Sequence, residues 1–199
     1  MTEPVLQASD IPEYHRTHHG AFAQWVGRSI LRLAGWTVVG HMVTDRKVII
    51  TVAPHTSNWD FVFGMSALLA LDLRCNWMGK DTLFRQPFAG LMRWLGGIPV
   101  YRDRPEGIAE QMAELMRNSD AMALIITPEG TRGYVDSWKT GFLRIAKAAD
   151  CDVLMGSLDF ENKRMTLGDV YKVTDDIDKD IANIKNYYSK FPGKHPERH

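Results

Sequence analysis

His55 and Asp60 stand five residues apart in the run HTSNWD. Within one helix that offset would turn Asp60 about 140° away from the imidazole, so the two can meet only if His55 lies in a loop ahead of the helix. Ser57 to Asp60 reads S-x-x-D, a capping-box spacing that puts Ser57 at the N-cap and Asp60 in the first turn. A chain bent in this way lets the carboxylate reach back to the ring. There it would fix the tautomer and support the imidazolium, leaving the second ring nitrogen free to take a proton. No serine nucleophile accompanies the pair, so the chemistry is that of a base acting on a hydroxyl carried by the substrate. By spacing alone the same residues read equally well as a helix cap and a polar loop histidine.

A second group follows in PEGTR at 128–132, where Glu129 and Arg132 flank Gly130. A missing Cβ allows close approach of a ligand or of backbone, and a guanidinium can grip an anion with two hydrogen bonds. Upstream, Lys80 opens the KDTLFRQPFAG run and Arg102 closes GGIPVYR. Three cations converging on one cleft would hold a phosphate or a phospho-headgroup; a turn with solvated side chains is the alternative for each taken alone. Residues 74–102 carry Arg74, Lys80, Arg85, Arg93 and Arg102 against Asp81, a local cationic surplus in a chain whose formal net charge is zero.

The elements that must position these residues follow from periodicity and punctuation. Strands are expected at 37–42, 47–53, 74–79, 98–101, 121–127, 153–160 and 165–173. Helices are expected at 21–36, 58–71, 87–95, from Pro105 through Met116, at 141–149, and on the face made by Ile177, Ile181, Ile184 and Tyr188. Strands alternating with helices predict a single α/β domain with a mostly parallel central sheet flanked by helices. In such sheets functional residues collect past the carboxyl ends of the strands, which singles out the loops at 55–60 and 128–132. Residues 1–19 form an N-terminal extension, 37–190 the domain proper, and the tail FPGKHPERH at 191–199 is expected to be loose.

The segment 20–36 is amphipathic, with Phe22, Trp25, Val26, Ile30, Leu33 and Trp36 at three- and four-residue steps and Gln24, Arg28 and Arg32 between them. It reads either as a helix packed on the core or as an interfacial membrane helix whose aromatics settle at headgroup depth. No run approaches the roughly 20 apolar residues of a membrane span, and the start MTEPVLQASDIPEYH is not a secretory signal. Lys and Arg total 24, as do Asp and Glu, so the basic surplus of a nucleic-acid binder is missing. Cys75 and Cys151 are too few and too far apart for a disulfide framework or a paired metal site, which leaves a reducing compartment and no metal.

In order, HTSNWD, GKDTLFRQPFAG, GGIPVYR, PEGTR and WKTGFLRIAKAA resemble the 1-acylglycerol-3-phosphate acyltransferase (lysophospholipid acyltransferase) family over about 47–157. The resemblance implies a glycerolphosphate-acyltransferase-like fold and transfer of a fatty acyl group from a thioester, acyl-CoA or acyl-carrier protein, to the hydroxyl of a lysophosphatidic acid or related lysophospholipid. It assigns His55 as general base and Asp60 as the residue that orients it. Lys80, Arg102 and Arg132 would bind the acceptor phosphate, and Glu129, Gly130 and Thr131 would shape the acceptor site. Lys139 occupies the K-x-G position ahead of Gly141. No cofactor is implied beyond the thioester cosubstrate. The implied setting is cytoplasmic, peripheral on the inner face of the membrane, with a lysophospholipid, the acyl donor and a membrane surface as partners. Acylation of a lysolipid without phosphate and a non-catalytic lipid-binding module are the competing readings. The chain departs from the family pattern in CDVLMGSLDF, which lacks the proline usual in that strand.

Overall fold

The structure, a computed structural model, describes residues 3–101 and 107–195. The β-branched run after Lys47 forms β2 (Lys47–Ala53), with Val48, Ile49, Ile50 and Ala53 all buried, as a strand covered on both faces must be. Six more strands join it: β1 (Thr37–Gly40), β3 (Asn76–Lys80), β4 (Gly97–Val100), β5 (Met122–Ile126), β6 (Asp152–Asp159) and β7 (Arg164–Tyr171). The sheet order is β1-β7-β6-β2-β5-β3-β4, and every pair is parallel except the β6–β7 hairpin.

Alternation along β2 splits the core. Val48 and Ile50 face α1 (Ala21–Ala34) and α2 (Asn58–Leu71), packing with Leu31, Ala67, Leu71 and Leu154. Ile49 faces α4 (Ile108–Asn118), α5 (Gly141–Ala149) and α6 (Ile177–Tyr188), packing with Met112, Met116, Phe142, Val153 and Ile184. A short α3 (Ala89–Trp94) lies between β3 and β4.

Four features differ from or add to the expectations above. First, β3 begins two residues late because Arg74 is held outside the ladder: its N–H donates to the His15 carbonyl at 2.6 Å and its guanidinium to the Tyr14 and Ala121 carbonyls. Second, the N-terminal extension is tied to the domain. Leu6 N–H donates to the Val38 carbonyl and Gly40 N–H to the Pro4 carbonyl, both at 2.9 Å, beside β1, and Thr17 Oγ1 donates to the Asp72 carboxylate at 2.5 Å.

Third, the large apolar side chains of α1 are not the ones packed on the domain, which sets aside the core-packed reading of that face. Its buried face is the small-residue stripe Ala23, Gly27 and Leu31. A Cβ on Gly27 would strike the Ala70 nitrogen and the Ser66 carbonyl of α2, so the glycine permits close backbone contact between the helices. Phe22 (76 % exposed), Trp25 (60 %) and Leu33 (89 %) point outward, while Trp36, beyond the helix end, is buried. Fourth, the tail is not loose over 191–195. Phe191 N–H donates to the Tyr188 carbonyl at 3.0 Å, and its ring lies 5.4 Å from that of Tyr187.

Candidate active site

α2 begins where the local sequence supplies its own cap. Ser57 is extended at φ −144°, ψ 157°, and its Oγ accepts the Trp59 N–H at 3.2 Å. In return Asp60 Oδ2 accepts the N–H groups of Thr56 and Ser57, each at 2.8 Å. The Asp60 side chain is 1 % exposed, and the same Oδ2 lies 3.0 Å from His55 Nδ1. A carboxylate can only accept, so Nδ1 carries a hydrogen, and in the neutral ring that leaves the lone pair on Nε2. His55 remains partly open to solvent, its side chain 16 % exposed. The capping box and the His–Asp contact are thus one arrangement: the helix cap aims the carboxylate at the ring.

The second anchor of His55 comes from a neighbouring strand. β2 and β5 are adjacent and parallel, with Thr51 level with Ile126, so the chains leaving them emerge side by side. Both oxygens of the buried Glu129 carboxylate lie 3.0 Å from His55 N and accept its N–H. The resemblance assigns Glu129 to shaping the acceptor site; what the structure shows of its carboxylate is a hold on the backbone of the histidine. Gly130 sits at φ +68°, and the Lys139 Cγ would be 3.3 Å from a Cβ there. Lys139 N–H also donates to the Pro128 carbonyl at 2.7 Å. The tight PEGTR turn therefore favours glycine for its left-handed conformation, and it brings Lys139 beside the motif.

Two of the three expected cations, Lys80 and Arg132, fall along the same carboxyl edge. Lys80 ends β3, level with Val100 of β4; the order β2-β5-β3 puts it two strand spacings, about 10 Å, from β2. Thr131 and Arg132 are exposed on the loop leaving β5, where Thr131 Oγ1 accepts the Gly133 N–H at 3.4 Å. Lys80 and Arg132 form no ion pair among the described residues. Arg102 lies outside the described residues.

Two supports escaped sequence reasoning. Tyr188, fully buried at the end of α6, donates its hydroxyl to the Thr51 carbonyl at 2.8 Å and lies 2.9 Å from Thr51 Oγ1. Burial pushes that phenol well above its ordinary pKa, so it stays a neutral donor on the strand that leads into the loop. Thr56, 1 % exposed, packs against 191–195. A tyrosine on a helix face reads as core, and a threonine inside HTSNWD carries no separate signal. Neither cysteine offers a nucleophile: burial raises the Cys75 thiol beyond reach, and burial beside Asp152 and Asp150 pushes Cys151 up to about 12. No cluster of three His, Cys, Asp or Glu that could hold a metal occurs among the described residues.

No curated protein sequence matches the chain significantly. Among solved structures, the 1-acyl-sn-glycerophosphate (LPA) acyltransferase PlsC from Thermotoga maritima is similar, with a TM-score of 0.61 over 85 % of this chain and 76 % of that one. At 17 % identity that likeness establishes a shared fold. The family pattern described as Acyltransferase matches residues 35–155. That span runs from the residues before β1 into β6 and includes the loops that carry His55, Asp60, Lys80 and the PEGTR turn. The chain belongs to the Acyltransferase family.

Proposed function

We propose that the protein transfers a fatty acyl group from a thioester, acyl-CoA or acyl-carrier protein, to the free hydroxyl of lysophosphatidic acid or a related lysophospholipid. The observation that carries this reading is the His55 Nδ1 to Asp60 Oδ2 contact at 3.0 Å. His55 Nε2 takes the acceptor hydroxyl proton as the oxygen attacks the thioester carbonyl. The tetrahedral oxyanion then collapses, the C–S bond breaks, and the imidazolium returns the proton to the leaving thiolate. General-base help of this kind contributes about 10²–10⁴-fold. At the start of α2 the capping box occupies the N–H groups of Thr56, Ser57 and Trp59, so the Asn58 N–H is the candidate oxyanion donor at that helix end.

Lys80 and Arg132, unpaired among the described residues, suit the acceptor phosphate, and Arg102 is assigned with them by the family motif. The Thermotoga maritima protein acts on a 1-acyl-glycerophosphate, as its name states, which agrees with a phosphorylated acceptor. The outward stripe Phe22, Trp25 and Leu33 on α1 and the exposed Phe88, Leu91 and Trp94 around α3 fit a lipid surface. The His19 and Trp94 rings lie 4.0 Å apart, which ties the chain leading into α1 to the end of α3. Arg28 and Arg32 are exposed on α1 and would meet lipid phosphates. No helix among the described residues is long and apolar enough to cross a membrane, and the reading is of peripheral contact.

The test is acyl transfer by the purified chain from labelled acyl-CoA or acyl-carrier protein to a panel of lysolipids with and without phosphate. Transfer to phosphorylated acceptors that His55→Ala abolishes is the expected result. Transfer unchanged in His55→Ala refutes the base assignment, and turnover confined to acceptors without phosphate refutes the acceptor class.

A further inference from the structure

We propose that the C-terminal segment 191–195 is a strap that holds the catalytic loop in register, and that Gly193 and Thr56 are positioning residues acting through it on His55. The strap starts from a fixed point. Tyr188 is locked to Thr51 of β2 by the two hydroxyl contacts already described, and the Phe191 N–H caps the same turn of α6 on the Tyr188 carbonyl.

From there the chain crosses the loop. Gly193 is buried, and a Cβ on it would stand 2.8 Å from Thr56 Oγ1, 2.9 Å from Thr56 Cγ2 and 3.1 Å from Pro54 Cγ. Nothing larger than glycine fits unless the loop or the strap moves. His195 N–H donates to Thr56 Oγ1 at 3.2 Å. Lys194 Nζ lies 5.0 Å from the Trp59 ring centroid, a cation–π contact on the first turn of α2. The strap therefore touches the residues on both sides of His55 and the turn that carries Asp60.

Thr56 makes the link to chemistry. Its hydroxyl is held by the strap while its N–H donates to Asp60 Oδ2, the oxygen that faces His55 Nδ1. A shift of the Thr56 peptide changes the direction from which Asp60 Oδ2 is held and so the pairing that selects the His55 tautomer. Displacements well under 1 Å suffice to slow a reaction whose geometry is pre-set. The catalytic part of this inference rests on the proposed role of His55; the structural part does not.

The experiment uses the full chain in three variants: Gly193→Ala, Thr56→Val, which keeps shape and removes the acceptor, and Thr56→Ser, which keeps the acceptor. Two quantities are read, acyl-transfer kinetics and the His55 tautomer by ¹⁵N-histidine NMR, the second independent of turnover. Gly193→Ala and Thr56→Val are each expected to lower kcat about tenfold, with KM for donor and acceptor within about twofold. Both are expected to turn the single Nδ1–H tautomer into a mixture, and Thr56→Ser to recover most of the rate and the single tautomer. A wild-type kcat and one tautomer in both Gly193→Ala and Thr56→Val overturn the proposal, as does a Thr56→Ser as slow as Thr56→Val. If Gly193→Ala does not fold, the Thr56 pair decides. If the wild-type chain turns over no lysolipid, the acyl-transfer reading fails, and the tautomer comparison still decides whether the strap positions His55.

Discussion

Replacing Asp60 by Asn separates the charge of the carboxylate from its place in the helix cap. Asp60 Oδ2 accepts two backbone N–H groups at 2.8 Å and faces His55 Nδ1 at 3.0 Å. An amide nitrogen at that position would confront donors on every side, so the Asn oxygen must take the Oδ2 place. The cap and the tautomer then survive while the charge is lost. With charge centres about 4 Å apart and an effective dielectric near 20, a carboxylate stabilises an imidazolium by about 4 kcal/mol. At about 1.36 kcal/mol per tenfold, kcat should fall about 10³-fold. The charge-assisted hydrogen bonds to Oδ2 become neutral ones, which costs folding about 1–2 kcal/mol. Initial rates of acyl transfer to lysophosphatidic acid, measured beside a urea unfolding curve, separate the two effects. A kcat within about threefold of wild type, with folding little changed, would refute the argument that the Asp60 charge supports His55 during proton transfer.

Glu129→Ala removes both acceptors of the His55 N–H and should cost about 1–3 kcal/mol of stability together with a fall in kcat; Glu129→Gln, which keeps an acceptor, should recover most of both in the same assays. Arg132→Ala should raise KM about 10- to 100-fold for a phosphorylated acceptor, the worth of a charge-assisted contact of about 1.5–3 kcal/mol, and leave an unphosphorylated one nearly unchanged; equal effects would make Arg132 structural. Trp25→Ser and Leu33→Ser should each weaken sedimentation with anionic vesicles about tenfold or more, since burying such a side chain contributes about 1.5–3 kcal/mol, while catalysis on a short-chain soluble acceptor persists. His15 is fully buried, and burial, aided by the Arg74 charge against the opposing Asp45 carbonyl bond, holds its imidazole below the ordinary value of 6.5. The unfolded chain binds a proton there that the folded one declines. Stability should therefore fall as pH drops below about 6.5 toward the folded-state value, and His15→Asn should flatten that part of the urea-midpoint profile.

The lengths of α2 and α5 were legible in the sequence because their signals are local: Ser57 and Asp60 cap α2, and apolar spacing marks the buried face of α5; of the face expected for α6, Ile184 and Tyr188 are buried and Ile177 is exposed. The buried β-branched run of β2 was legible for the same reason, and the approach of Asp60 to His55 was legible as one of two readings, since the capping box allows it within six residues. Which of its two readings α1 follows was not legible. Large apolar residues at helical spacing describe a face but not what covers it, and the contact is decided by Gly27 meeting the backbone of Ala70 and Ser66 on another helix.

The sequence by itself determined the residue types at the strand ends, the capped loop that carries His55, and the alternation that makes a mostly parallel sheet. Only the tertiary structure decided that β5 lies beside β2, which brings Glu129 onto the His55 N–H, and that the tail crosses Thr56. Those contacts join residues 74 and 139 positions apart in the chain. Strand order and chain packing set them, and no local preference of Glu129, Gly193 or His195 encodes the partner that each meets.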